Sequence, residues 1–277
     1  VVARREEDAI LASRLLKVNW KAPPALGSMA SLTDALASQP SKQRPLSKKG
    51  DTDKALAAAK HTVKATYVWP YQMHGSIGPS CGLADWKDQK LTVWSGSQNP
   101  HNLHSDIAKM LDIPEDRIRV VRMEASGCYG RNCADDVAAD AALLSRAVGA
   151  PVRVQLSREQ EHLWEPKGTA QWMQVRGALD GTGAFDAYDF SVAYPSNGAP
   201  TLALLLTRAI DPVARSFEMG DRTARPPYAV PNLRVTIQDM APILRASWLR
   251  GVSALPNSFA HESFVDELAS LARVDPV

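Results

Sequence analysis

The segment Glu124-Ala-Ser-Gly-Cys-Tyr-Gly-Arg-Asn-Cys133 carries the strongest structural signal in this sequence. Before it, residues 118–123 alternate around a β-branched centre, which predicts a strand. After it, apolar residues recur at helical spacing as far as Val148, and Gly149 followed by Pro151 predicts where that helix ends. The sequence therefore predicts a strand, a glycine-bearing loop and a helix in succession.

The loop has two interpretations. A helix that starts after such a loop offers unpaired backbone N–H groups and partial positive charge, which favour a phosphate or another anion. Gly127 and Gly130 also permit positive φ angles and a close approach of the backbone to a ligand. The loop matches neither the Gly-x-Gly-x-x-Gly dinucleotide pattern nor a P-loop, however. From the residues alone, a ligand-binding loop and a tight turn without a ligand both stay open.

Composition excludes several classes of function. Of the 277 residues, 45% are hydrophobic and 22% charged, as in ordinary soluble proteins. A formal net charge of +2, with dispersed lysines and arginines, argues against a nucleic-acid partner. The longest apolar run, near residues 201–206, is too short to cross a bilayer. The sequence predicts a soluble chain and leaves its compartment unknown.

The cysteines and histidines do not predict a metal held by protein ligands. Cys81, Cys128 and Cys133 have the spacing of neither a zinc site nor an iron–sulfur site, so free thiols are expected. His101 and His104 could meet on one face of a predicted helix, but no third ligand is evident. Ordinary surface histidines are the favoured interpretation.

Strands and helices alternate through most of the chain. Helices are predicted at 53–59, 101–111, 134–148 and, capped by Asn257, at 259–272. Strands are predicted at 63–69, 91–94, 118–123, 151–156, 171–179, 184–194 and 233–237. Residues 157–160 resemble a capping box, and the proline-rich segment 195–231 is expected to cover another part of the molecule. This order predicts an α/β or layered α+β fold.

The first fifty residues differ in composition from the rest. Residues 1–3 and 17–20 are strand-like and flank a helical stretch, which suggests that the chain opens inside a domain whose first part is missing. Residues 21–52 are rich in proline, serine and lysine and are predicted to form a surface connection, with a short helix at 32–37.

Three separated stretches together resemble the large, molybdenum-cofactor-binding subunit of the xanthine oxidase family of molybdenum hydroxylases. They are Trp94-Ser-Gly-Ser-Gln98-Asn-Pro100 with Ile113-Pro-Glu-Asp-Arg-Ile-Arg-Val120, then Ser126-Gly-Cys-Tyr-Gly-Arg131, and finally Leu249-Arg-Gly-Val-Ser-Ala-Leu-Pro-Asn257 with Glu262-Ser-Phe-Val-Asp-Glu-Leu-Ala269. Their order and spacing are similar to the branch that contains isoquinoline oxidoreductase, nicotinate dehydrogenase and some membrane-associated aldehyde dehydrogenases. Within that branch, nicotinate dehydrogenase is the nearest in motif.

The resemblance implies a domain organisation and an activity. Residues 1–20 would be the end of an α/β hammerhead domain, 21–52 a linker, and 53–277 the first molybdenum-cofactor-binding domain. The implied reaction is oxidative hydroxylation of an N-heteroaromatic substrate such as nicotinate, with water as oxygen donor. Aldehyde oxidation is the alternative on the same scaffold, and a non-catalytic fragment that lacks the C-terminal half of the site is the second.

The resemblance also implies roles for individual residues. Gln98 would hydrogen-bond an oxygen ligand of molybdenum, and Tyr129 and Gly130 would lie beside the metal with their N–H groups toward cofactor oxygens. Arg250 would face the substrate and stabilise developing negative charge. His74 would line the substrate entrance, and Asn257 would contact the pterin or its phosphate. The other expected cofactor-binding residues are Gly127, Cys128, Arg131 and Gly251.

The expected cofactor is a molybdenum–pterin, in its plain or cytosine dinucleotide form, with no protein ligand to the metal. An iron–sulfur small subunit with [2Fe-2S] clusters is the expected partner, joined by a cytochrome c subunit or domain and by the C-terminal half of the same subunit. The resemblance implies that the general base is a glutamate near the C-terminus of the full subunit, outside this chain, whereas Glu262 and Glu267 are expected on the surface of the last helix or in ion pairs. Cys128 and Cys133 depart from the family, which commonly has glycine at the first position and often glutamate near the second, so the way in which well-known members anchor the substrate ring does not carry over.

Overall fold

Two β-sheets with helices packed against them organise the fold. The computed structural model describes residues 1–21 and 31–276. Its helices are α1 (Glu6–Leu15), α2 (Leu32–Ser38), α3 (Thr52–Ala58), α4 (Pro100–Leu111), α5 (Ala134–Val148), α6 (Arg158–Trp164), α7 (Leu202–Leu206) and α8 (Ala254–Ala272), with a 3₁₀ turn at Glu115–Arg117. Its strands are β1 (Ser41–Lys49), β2 (Thr62–Trp69), β3 (Cys81–Lys87), β4 (Lys90–Ser95), β5 (Ile118–Arg122), β6 (Val152–Gln155), β7 (Gln171–Leu179), β8 (Phe185–Pro195) and β9 (Asn232–Met240).

The four-stranded sheet positions the glycine-bearing loop. Its strand order is β5-β4-β3-β6, with β4 and β5 parallel and joined by α4. Helix α5 packs on β3, and a Cβ at Gly82 would lie 2.8 Å from the backbone of Ala138. Glycine at this position therefore lets the alanine-rich helix lie directly on the strand. The glycine-bearing loop connects β5, an edge strand of this sheet, to α5.

The five-stranded sheet has the order β1-β9-β8-β7-β2. Strands β8 and β9 are parallel, and the other neighbours are antiparallel. Helix α8 packs on β7 and β2 with Phe264 and Leu268 fully buried, and a Cβ at Gly177 would lie 2.7 Å from the Phe264 ring. The core of this layer is therefore formed between α8 and one face of the sheet.

Most of the predicted elements are confirmed. The strand, loop and helix predicted around residues 118–148 are β5, the intervening loop and α5, and Gly149 ends α5 in the left-handed conformation with φ 63°. Ser157 and Gln160 form the capping box at the start of α6, and β7 and β8 form the predicted hairpin. The mixed α/β class is confirmed. In the described residues, none of the helices has the length and apolar character needed to cross a membrane.

Part of the predicted surface connection is a strand. Ser41–Lys49 pairs with β9 along its length, with a shift of register between Pro45 and Ser47. Its lysines and proline are typical of an edge strand, which needs hydrogen bonds on only one side, and composition alone does not separate such a strand from a linker. The predicted short helix is confirmed as α2, and the part of the connection at 22–30 lies outside the described residues.

The predictions for residues 1–20 are only partly correct. The helical stretch is α1, but residues 1–3 and 17–20 form no strand, and α1 buries none of its side chains. Apolar residues in short stretches predict strands only where a partner strand is present. The assignment of this segment to a hammerhead domain stays a prediction.

The last helix begins earlier than predicted. It starts at Ala254 after Ser253, so Asn257 lies inside its first turns rather than at its cap. Pro256 is compatible with this because the first turn of a helix needs no hydrogen bond from its N–H groups. Leu271, near the end of the helix, is 44% exposed although it lies on the apolar side of the helical pattern.

A buried histidine is expected to make stability depend on pH. His261 is buried in the five-stranded layer, where its Nδ1 accepts from the Tyr188 hydroxyl (2.8 Å) and its Nε2 donates to the Ala224 carbonyl (3.1 Å). Burial lowers the pKa of His261 from 6.5 to about 4. The unfolded chain then binds the proton more tightly than the folded chain does. The stabilisation that comes from burying the neutral ring is therefore present above pH 6.5, and about 3 kcal/mol of stability in total is lost as the pH falls toward 4.

Chemical denaturation of wild type, His261→Gln and His61→Gln between pH 7 and pH 4 measures this effect. The wild type and the variant at the exposed His61 should lose stability together as the pH falls. His261→Gln should begin less stable and lose less. Equal pH slopes for all three proteins would contradict the assignment.

Candidate functional site

Two loops that are far apart in sequence form one unit at the edge of the four-stranded sheet. Arg131 N–H donates to the Trp248 carbonyl (2.8 Å), and Arg250 N–H donates to the Tyr129 carbonyl (2.7 Å). Gly130 and Leu249 pair as an isolated antiparallel bridge. The second and third motifs of the sequence analysis are therefore joined through their backbones.

Glycine is required at two positions of this unit. Gly130 has φ 130°, and a Cβ there would lie 2.0 Å from the Trp248 carbonyl oxygen. Gly127 has φ 107°, and a Cβ there would lie 2.6 Å from the Tyr129 ring. Tyr129 between them also has a positive φ of 56°, which is uncommon for a residue with a side chain. The loop therefore holds a strained conformation, which its glycines and the facing residues 248–250 maintain.

Gln98 joins the first motif to the same unit. Its Oε1 accepts a hydrogen bond from Gly130 N–H (2.9 Å), and its side chain is exposed. Since the N–H group can only donate, the amide oxygen faces Gly130 and the Nε2 donors face away from it. Gln98 therefore occupies the Gly130 N–H donor in this structure, and the contact between that N–H and a cofactor oxygen stays a prediction.

Arg250 has a fixed backbone and an uncommitted side chain. Its N–H group is bound by Tyr129, and the next two residues, Gly251 and Val252, have positive φ angles of 87° and 49°. The guanidinium is exposed, and it forms no hydrogen bond or ion pair with the part of the chain that the structure describes. The guanidinium is a permanent cation with five donors, and only the backbone of this residue is tied to Tyr129.

The Arg131 side chain has structural partners. Its Nε donates to Asp135 (2.8 Å), and its Nη atoms donate to the Ala199 carbonyl (2.6 Å) and to Asp106 (3.3 Å). These contacts tie the loop to α4, to α5 and to the segment before α7. The expected contact between this side chain and a cofactor is not retained, because its donors are used inside the protein.

Asn257 also has partners other than those expected. It is fully buried, and its Nδ2 donates to the carbonyls of Gly220 (3.0 Å) and Arg222 (2.9 Å). The side chain holds the 220–222 segment against the start of α8. Its Oδ1 is buried without a hydrogen-bond partner, and the contact of Asn257 with the pterin or its phosphate stays a prediction.

His74 lies behind the site rather than at its entrance. It is 5% exposed, and its ring Nε2 is 2.7 Å from the Trp248 carbonyl oxygen. Its backbone N–H donates to Glu165 Oε1 (3.0 Å). Desolvation lowers the pKa of the His74 imidazole. A neutral, buried ring that faces a backbone carbonyl does not fit the expected role at an open entrance.

Comparison with known proteins places this arrangement in a family. The family model described as the molybdopterin cofactor-binding domain matches residues 37–277. The chain belongs to the molybdopterin cofactor-binding domain family. The match includes β1, which composition alone places in the linker.

Similar proteins extend beyond this chain. One of the subunits of nicotinate dehydrogenase from Pseudomonas putida is 60% identical over 100% of this chain, which covers 23% of that protein. The aldehyde oxidoreductase molybdenum-binding subunit PaoC of Escherichia coli strain K12 is 28% identical, with 100% of this chain and 36% of the relative covered. The solved aldehyde oxidoreductase of Desulfovibrio gigas has the same fold, with a TM-score of 0.77 at 24% identity over 99% of this chain and 30% of that one. The chain thus spans between 23% and 36% of the length of these proteins.

The uncommitted donors fit the cofactor for which the molybdopterin cofactor-binding domain family is described. Arg250 and the outward Nε2 of Gln98 offer hydrogen-bond donors, and no acidic side chain contacts them in residues 1–21 and 31–276. A pterin phosphate and metal-bound oxygen atoms are acceptors, so the donor set is complementary to them. Over the same described ranges, no three His, Cys, Asp or Glu side chains cluster closely enough to hold a metal ion.

Sequence reasoning missed two cavities in this cofactor-binding domain. One, of about 320 Å³, lies beside the glycine-bearing loop and is lined by residues from the segments 76–83, 94–96 and 123–127, with Asn132 and Ala134. The other, of about 730 Å³, is lined by residues from the segments 196–217 and 242–245, with Asp106 and Lys109. The only sequence signal for the second was the length of the proline-rich segment 195–231, because its walls come from segments without a motif.

The cysteines of this domain should differ in reactivity. Cys128 is buried, and its single S–H can donate either to the Gly130 carbonyl (3.1 Å from Sγ) or to Asn132 Oδ1 (3.2 Å). Burial raises the pKa of both the Cys128 and Cys133 thiols. Cys81 is exposed. Because the thiolate is the nucleophile, iodoacetamide should label Cys81 in the folded protein and all three cysteines only after denaturation. Peptide mass spectrometry measures the labelling. Modification of Cys128 in the folded protein would contradict the burial of its thiol.

Proposed function

We propose that this chain contributes one wall of the active site of a molybdenum hydroxylase that acts on an N-heteroaromatic acid such as nicotinate, with water as oxygen donor. The observation that carries the proposal is the 60% identity to the nicotinate dehydrogenase subunit of Pseudomonas putida over the whole chain. The junction of Gln98, the Tyr129–Gly130 turn and Arg250 supports it, because the Gln98 Nε2 and the Arg250 guanidinium are hydrogen-bond donors, and an acceptor-rich cofactor and an anionic substrate both require donors.

The roles of the residues follow from their chemistry. When bound, the molybdenum–pterin cofactor supplies the two-electron oxidation, with water as the source of oxygen. Gln98 would donate through Nε2 to an oxygen atom of the cofactor, while its Oε1 holds the Gly130 turn in place. The Arg250 guanidinium would stabilise negative charge that develops on the substrate ring, without any change of its own protonation.

The remaining assignments complete the proposed assembly. Residues 1–20 would belong to a hammerhead domain, and the cofactor would take its plain or cytosine dinucleotide form. A [2Fe-2S] small subunit and a cytochrome c subunit or domain would receive the electrons, and the C-terminal half of the same subunit would supply the general base. The description of relatives as subunits of larger oxidoreductases supports this organisation.

Aldehyde oxidation is the second candidate. It is favoured by the 28% identity to the aldehyde oxidoreductase subunit PaoC, which covers the whole chain. The shared motifs surround the cofactor rather than the substrate, so they do not distinguish a ring carbon from a carbonyl carbon. A non-catalytic role of this segment by itself is the third candidate, because no carboxylate of residues 1–21 and 31–276 contacts the Arg250 side chain.

Turnover of the full-length protein, purified with its partner subunits, distinguishes these functions. The values of kcat/KM should be compared for nicotinate and benzaldehyde, with oxygen-18 water to follow the incorporated atom. Nicotinate should be preferred, with label in the hydroxylated product. A preference for benzaldehyde would favour aldehyde oxidation, and absence of turnover on both by protein that contains molybdenum would overturn the proposal.

A further inference from the structure

The Trp248 carbonyl is a central acceptor of the candidate site. It accepts from Arg131 N–H (2.8 Å) on the side of the glycine-bearing loop and from His74 Nε2 (2.7 Å) on the opposite side. A carbonyl oxygen has two acceptor lone pairs, so these two donors complete its hydrogen bonding. The closeness of Gly130, whose hypothetical Cβ would lie 2.0 Å away, leaves the oxygen little room on that side.

His74 is well placed to hold this carbonyl. Since the carbonyl can only accept, Nε2 carries the ring proton, and burial, which lowers the pKa of His74, keeps the ring neutral. The position of the residue is itself fixed by its backbone. The backbone N–H of His74 donates to buried Glu165 (3.0 Å), and nearby Gln72 forms two backbone hydrogen bonds with Gly168, one as donor (3.2 Å) and one as acceptor (2.8 Å). The ring therefore acts as a fixed donor behind the site.

The contact is linked to Arg250 by a short path. The peptide that carries the Trp248 carbonyl continues through Leu249 to Arg250, whose own N–H binds the Tyr129 carbonyl (2.7 Å). Gly251 follows with φ 87°, so the backbone beyond Arg250 is readily reoriented if its hydrogen bonds are lost. The orientation of the Arg250 side chain thus depends on a peptide segment that is held from behind by His74.

We propose that His74 is a positioning residue that sets the direction of Arg250 through the Trp248 carbonyl. It does not touch substrate or cofactor. This inference rests on the proposed function for its kinetic consequence, but the mechanical coupling between His74 and the two loops is a property of the chain alone. The two parts are therefore tested by separate measurements.

The first measurement is amide hydrogen exchange in the full-length protein. His74→Leu introduces an apolar side chain of similar size and removes the donor. It should speed amide exchange at Arg131 and Arg250 by on the order of tenfold. His74→Gln retains a donor near the position of Nε2 and should restore most of the protection. Peptides from β7 and β8 should exchange as in the wild type for both variants, since the hydrogen bond of the ring goes to Trp248 and not to those strands.

The second measurement is steady-state turnover of the molybdenum-loaded protein. His74→Leu should lower kcat per molybdenum by on the order of tenfold with a smaller change in KM, because a misplaced charge stabilises the transition state less. His74→Gln should recover most of kcat. His104→Leu is the matched control: His104 Nε2 also faces backbone carbonyls, those of Glu115 and Ile118 at 2.9 and 3.0 Å, but belongs to α4.

Several outcomes would overturn the inference. Wild-type exchange at Arg131 and Arg250 in His74→Leu would remove the coupling, and a fall in kcat without faster exchange would remove the mechanism. Equal losses in His74→Leu and His74→Gln with faster exchange throughout the protein would show a general structural role only. An inactive wild type with the expected exchange pattern would instead overturn the proposed function and support the coupling.

Discussion

Replacing Arg250 with alanine in the full-length protein is expected to lower kcat by on the order of 10² or more while the molybdenum content is unchanged. The guanidinium is exposed and has no partner in the described part of the chain, so its removal does not leave an unpaired group inside the protein. The loss would therefore report the charge that Arg250 stabilises in the transition state. Steady-state kinetics normalised to molybdenum measures it.

Two further variants interpret this result. Arg250→Lys retains the charge without the planar set of donors and should recover only part of kcat. Arg119→Ala removes another exposed arginine, on β5, and should have the activity of the wild type. An unchanged kcat in Arg250→Ala with intact cofactor would remove Arg250 from the mechanism.

Replacing Gly130 with alanine is expected to destabilise the junction of the two loops by about 3 kcal/mol or more. The added Cβ would lie 2.0 Å from the Trp248 carbonyl oxygen, and φ 130° is unfavourable for any residue with a side chain. The backbone would have to separate, so the Arg131 and Arg250 hydrogen bonds would be lost together. The free energy of unfolding, measured with denaturant, and the molybdenum content should both fall.

Gly149→Ala is the matched control for that variant. Gly149 also has a positive φ, of 63°, but no atom lies within 4 Å of its hypothetical Cβ. Only the conformational cost of about 1 kcal/mol is therefore expected, with normal molybdenum content. Equal effects of the two substitutions would show that the contact with Trp248 is not what makes Gly130 necessary.

The local pattern of the sequence was sufficient for the elements that carry their own signals. The strand, loop and helix at 118–148 were predictable because β-branched alternation, helical spacing and Gly149 all lie within one segment. Strand β1 was not predictable, because its identity depends on pairing with β9, far along the chain. An edge strand with Pro45 and several lysines has the same composition as a linker.

The candidate site shows the same limit. Motif resemblance identified Gln98, Gly130 and Arg250, and the structure brings their loops together by direct hydrogen bonds. The environments of His74 and Asn257 could not be predicted, because the partners of His74 are 91 and 174 residues away and those of Asn257 are 35 and 37 residues away. Burial of a polar side chain is decided by such distant partners, and a single sequence does not display them.

The most direct test of the central claim is the molybdenum and pterin content of the full-length protein purified from cells that make the cofactor. Elemental analysis and pterin fluorescence should give stoichiometric molybdenum and pterin for the wild type, and a strongly reduced content for Gly130→Ala but not for Gly149→Ala. Absence of both from the wild-type protein would contradict the claim that these loops form part of a molybdenum–pterin site.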